Sequence, residues 1–228
     1  MASTVQLQDL RQAVRDQGEF RAAAYPDALL TRLINRSIKD LYGRLAKLDQ
    51  SRYHSTATYS VAADAASADI GDQATDFWQA IGVEVDDSES ESGYYSLARY
   101  QWEERNDYGD VSDKRSMRYE IRGGAIRLHP PAPTSCTLRL HYIPVLTALS
   151  ADTDTFDGIN GWDDVVVYDV CTRLALSEES DHTGFAKERE RCLTAIFGQA
   201  VVDRDQPKQI VDVERGSRWP WWPTRWRR

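Results

Sequence analysis

The 228-residue sequence predicts an α+β fold: a helical bundle built from the N- and C-terminal helices, an inserted antiparallel β-sheet region, and an extended C-terminal arm. Three observations carry this. Apolar residues recur at helical spacing within the first 50 residues and again between 161 and 200. The stretch between them alternates at period two, and the last fifteen residues have the composition of neither. The boundaries fall at 1–50 for the N-terminal helices, 51–147 for the β-rich insert, 148–213 for the C-terminal helices and 214–228 for the arm.

The first helix is read over residues 5–17, where Leu7, Leu10 and Val14 are spaced by three and four. A longer one starts at Pro26, a residue suited to a first helical turn. Leu30, Leu33, Ile34, Ile38, Leu41, Leu45 and Leu48 then line one face. Tyr53, Ala57, Tyr59 and Val61 alternate as a strand does. MRYEI and AIRLH flank Gly123 and Gly124 as a hairpin, stopped by Pro130-Pro131. A third strand puts Cys136, Leu138, Leu140 and Tyr142 on one face and Thr137, Arg139 and His141 on the other. The three are expected to form an antiparallel meander, to which IGVEV and YYSLARY add. Trp162, Val165, Val166, Asp169, Val170, Arg173 and Leu174 mark a helix from Gly161 to about Glu179. After the SDHTG break, Phe185, Arg189, Cys192, Leu193, Ile196 and Ala200 mark its hairpin partner, with Pro207 beyond the end.

Two stretches read as exposed loops. Val85–Gly93 carries Asp86, Asp87, Glu89 and Glu91 among serines, and Ala148–Gly161 carries Asp152, Asp154 and Asp157. The spacing Asp152, Asp154, Asp157, Gly158 is out of register for a calcium loop, so these acids are read as a turn. His54, His129, His141 and His182 make no metal-binding pattern, and there is no nucleophile elbow or phosphate-cradling glycine loop. Neither a catalytic nor a metal site is expected, nor a cofactor. Cys136, Cys171 and Cys192 are odd in number and far apart, as in core-filling thiols of a reducing compartment. No run of about 18 apolar residues and no secretion signal is found, so no membrane partner is expected.

The arm ERGSRWPWWPTRWRR holds four of the seven tryptophans. Trp219, Trp221, Trp222 and Trp226 are too many rings to leave in water, and Pro220 and Pro223 oppose a helix that would hide them. Arg215, Arg218, Arg225, Arg227 and Arg228 add stacking and bidentate pairing. This is the composition of a docking segment. The same residues also suit packing back on the parent domain, stacking on nucleic-acid bases or lying in a membrane interface. Net charge is −8; residues 215–228 carry five arginines and no acid, which leaves −13 on residues 1–214. An acidic body with a basic arm disfavours nucleic acid as the body's partner.

In its order of elements the chain resembles the head-to-tail adaptors of tailed bacteriophages. The resemblance is carried by LINRSIKDLYGRL (Leu33–Leu45), DFWQAIGVEV (Asp76–Val85), LARYQWEERNDYG (Leu97–Gly109) and YEIRGGAIRLHPPAP (Tyr119–Pro133). It continues through LHYIPVLTALSADTDTF with the following Gly161-Trp162, and YDVCTRLALSEESD (Tyr168–Asp181). Thr75 stands where the family commonly has proline before Asp-Phe-Trp. The resemblance implies a non-enzymatic virion protein of the head–tail junction, assembled in the host bacterial cytoplasm. Its partners would be the portal, the next tail, nozzle or stopper protein, and itself as a homo-oligomeric ring, usually a dodecamer. Double-stranded DNA would pass through the lumen without specific binding. The arm would dock on the portal, and the two acidic loops would lie at the ring's lumen or periphery and order on assembly. The alternative is a nucleic-acid- or membrane-associated accessory protein using the same tail.

Overall fold

Helix α1 (Leu7–Gly18) opens with a capping box: the Gln6 side chain and the Asp9 carboxylate each accept from the other's backbone N–H. Its buried residues are Leu7, Leu10 and Val14, the expected stripe. The computed structural model describes residues 5–19, 24–48, 50, 52–87, 93–101, 103 and 113–204. Helix α2 (Asp27–Leu48) starts where the Pro26 carbonyl accepts from Leu29 and Leu30, and it buries Leu30, Ile34, Ile38, Leu41 and Leu45.

Helix α3 (Trp162–Ser177) packs against α1, against α2 and against α4 (Thr183–Arg204). Contact on three sides explains its composition: ten of its residues are buried, including Val167, Cys171 and Thr172 outside the stripe read from sequence. Helix α4 gives up much less surface, with only Leu193 and Ile196 fully buried among its described side chains. Both ends of the chain thus share one apolar core, which Ile143 from the β-region also joins.

The β-region is two four-stranded sheets around a second core. One has the order β1 (Ser55–Val61), β8 (Cys136–Pro144), β3 (Phe77–Asp86), β4 (Tyr94–Ser96). The other has β2 (Ser67–Asp69), β7 (Ala125–His129), β6 (Arg118–Arg122), β5 (Ala98–Arg99). The hairpin is as expected, with Gly123 and Gly124 at φ +64° and +79°. The meander is not. Strand β8 pairs with β1 and β3 in the other sheet. Pro130 and Pro131 bring no N–H to a ladder, and the chain crosses there: Ala132 is buried, donates to the Ala65 carbonyl and accepts from Asp64. YYSLARY is divided as well, its first part pairing with β3 and its last part running parallel to β6, so the second sheet is mixed.

Register shifts in β3 between Phe77 and Gln79 and between Ala80 and Gly82 bend it where it meets the bundle. There Trp78 lies 5.7 Å from the Tyr42 ring, and the Tyr42 hydroxyl donates to the Pro144 carbonyl at 2.9 Å. The two cores meet at this seam of helix α2 with strands β3 and β8.

Candidate assembly surfaces

The arm residues Arg215, Arg218, Trp219, Trp221, Trp222, Arg225, Trp226, Arg227 and Arg228 lie outside the described residues, as do Glu89 and Glu91. The other acids singled out from sequence are placed, and each is engaged locally. Val85, read as the start of an exposed loop, is instead a fully buried residue of β3. Asp86 accepts from the Lys114 ammonium at 3.0 Å and from the Thr137 N–H at 2.8 Å; Asp87 accepts from Arg115 at 2.8 Å. Partial burial pushes the Asp86 carboxyl up, but the Thr137 N–H and Lys114 outweigh it and hold it below the usual carboxylate range.

The stretch Ala148–Gly161 is held within the single chain by hydrogen bonds and by core packing. Asn35 clasps Leu149 with two 2.8 Å bonds, one to its carbonyl and one from its N–H. Leu7 and Gln8 donate their N–H groups to the carbonyls of Asp154 and Asp152, and Gln6 bridges Thr155. Leu149, Phe156 and Ile159 are buried in the bundle core. These apolar residues, spaced through an acidic stretch, are the signal that a count of acids overlooks. Asp154 accepts from the N–H groups of Ser150 and Ala151 at 2.7 and 2.8 Å, and those bonds lower its carboxyl. Asp152 pairs with Arg11, and Asp157 with Arg52 at 3.4 Å.

Two helical grooves were not singled out from sequence. The first lies between α2, α3 and α4. In it Asp169, 9% exposed at its side chain, receives Arg173 at 2.7 Å and Arg189 at 2.9 Å, and Arg173 reaches Asp40 at 3.0 Å. Burial alone would raise the Asp169 carboxyl; the two guanidinium groups outweigh it and hold it low. This network bolts the sparsely buried α4 to its neighbours.

The second groove, about 420 Å³, runs between α1 and the N-terminal half of α3. Its floor is Val5, Leu10, Ala13, Val167 and Tyr168, and its walls carry Asp9, Asp16, Asp163 and Asp164. Partial desolvation at the wall and the neighbouring charge of Asp163 raise the Asp164 carboxyl. The seven-residue spacing from Asp9 to Asp16, one helical face over two turns, was the legible signal for this wall.

Among the described residues no group of three His, Cys, Asp or Glu side chains is arranged to hold a metal ion, and no helix is long and apolar enough to cross a membrane. Cys136 and Cys171 are buried, one in each core, and burial raises both thiols, Cys171 to about 12. His141 lies 3.0 Å from Glu84 on the polar face of β8, beside Arg139, whose guanidinium covers the Tyr94 ring at 3.5 Å.

The described body is thus a bundle of N- and C-terminal helices with a two-sheet insert, its prominent acids paired locally. The family model described as SU10 adaptor protein matches residues 5–212, and the chain belongs to this phage head-to-tail adaptor family. No curated protein matches the chain. The protein is a structural adaptor of the virion's head–tail junction, a setting that brings it together with portal and tail proteins.

Proposed function

We propose that twelve copies form a ring beneath the portal, pass the genome through an acidic lumen and present the platform for the next tail or nozzle protein, without catalytic turnover. The family match across the whole helix–sheet–helix body carries this reading. Charge supports it: a lumen that repels phosphates keeps DNA from sticking, and residues 1–214 carry −13. The arm, with four tryptophans and five arginines, is the portal anchor in this reading, its rings entering apolar pockets and its guanidinium groups pairing with acids at their rims. Twelve such anchors on one partner act multivalently. The acids Asp86, Asp87, Glu89, Glu91, Asp152, Asp154 and Asp157 belong to lumen or peripheral surfaces of the ring.

Salt titration separates this reading from a nucleic-acid accessory role. Binding of the full chain to portal should persist between 50 and 200 mM salt, whereas phosphate binding by the arm's five arginines falls by roughly 500-fold over that range. Tight, steeply salt-dependent binding to DNA with no binding to portal would overturn the proposal.

A further inference from the structure

The groove between α1 and α3 combines an apolar floor with carboxylate walls, and the chain itself carries a segment of the opposite character. Local structure accounts for part of the wall. Asp9 belongs to the capping box, and Asp163 and Asp164 occupy the first turn of α3, where a helix favours carboxylates. Asp16 lies near the C-terminal end of α1, where the helix disfavours an acid, and among the described residues it accepts from the Gln12 side-chain amide at 2.7 Å. None of the four has an ion-pair partner within 4.0 Å among the described residues; Arg191, paired with Glu188, acts on Asp164 from farther away. A floor containing Val5, Ala13 and Tyr168 suits an indole ring, and a wall of four carboxylates suits guanidinium groups.

The path of α4 ends the described chain on the same side of the bundle. Arg189 meets Asp169, and four residues later Leu193 lines a cleft with Val165, so α4 runs antiparallel to α3. Continuing to Arg204, it ends beyond the N-terminal end of α3, the end that carries Asp163 and Asp164. Residues 205–214 then span up to about 33 Å before the arm begins, more than enough to turn back.

We propose that in the free protein the groove formed by Asp9, Ala13, Asp16, Asp163, Asp164 and Tyr168 is the docking surface for the chain's own arm, residues 215–228, and that portal binding releases it. This rests on the reading of 215–228 as a docking segment. A released arm would expose four tryptophans on every free copy; a parked one keeps the protein from associating through them before its partner is present.

The test uses the full chain with p-benzoylphenylalanine in place of Trp222 and, separately, of Trp219, irradiated as a monomer and mapped by peptide mass spectrometry. Cross-links are expected within residues 5–18 and 162–173, inside a single chain and with a yield unchanged by tenfold dilution. Asp16→Lys, outside the capping box, should lower that yield at least fivefold while the circular dichroism spectrum is unchanged. Cross-links elsewhere, links between chains that vanish on dilution, or no cross-links would each overturn the proposal. Added portal should lower the yield. If the groove links form but portal leaves them intact, the docking surface stands and it is the portal anchor that fails.

Discussion

Gly158 and Trp162 make the tightest single-residue constraint in the bundle. A Cβ at Gly158 would stand 2.5 Å from Trp162 Cγ and 2.6 Å from Cδ1, inside a side chain that is fully buried and stacked edge-on against Phe156. Gly158→Ala therefore forces the indole or the backbone to move and should cost about 1–3 kcal/mol, read from the urea midpoint. Wild-type stability would contradict the packing described. Asp169 is a second such position. Its folded carboxyl lies below the ordinary value of 3.8, so its contribution is complete above that value and is lost as pH falls through the lower folded one. Asp169→Asn should cost about 2 kcal/mol at neutral pH and flatten the acid limb of the stability profile. An unchanged acid limb would show that Arg173 and Arg189 do not hold α4 through it.

Among the elements, the four helices and the hairpin were legible because each carries its own period or turn chemistry. The two-sheet division was not. Period two says which face of β8 is buried but not which strand lies beside it, and the chain crosses between sheets at Pro130–Ala132, where sequence marks only an end. The site was legible in the same uneven way. Charge and tryptophan content singled out the arm, and spacing singled out the acids, but pairing with Lys114, Arg115, Arg11 and Arg52 depends on residues distant in sequence. The hairpin gives a prediction of its own. No atom lies within 4 Å of a Cβ built at Gly123, so conformation alone opposes a side chain there. Gly123→Val should cost about 1–2 kcal/mol and lower the melting temperature without altering the far-ultraviolet spectrum. A clash-sized loss or none would contradict this account of the turn.

The whole molecule is an acidic body with a basic aromatic arm; in the proposed ring the body lines the lumen and the arm holds the portal. Two tryptophan-to-alanine changes among Trp219, Trp221, Trp222 and Trp226 should weaken one arm's attachment by up to roughly a thousandfold, at about 2 kcal/mol each, with the far-ultraviolet spectrum unchanged. Loss of folding in those variants would mean that the rings belong to the core. The most direct test of the central claim is cryo-microscopy of the full chain mixed with its phage's portal. The expected image is a closed ring of twelve copies seated under the portal, with arm density entering the portal and a central channel lined by acids. A chain that leaves the portal undecorated, or a ring whose channel is lined by basic side chains, would contradict it.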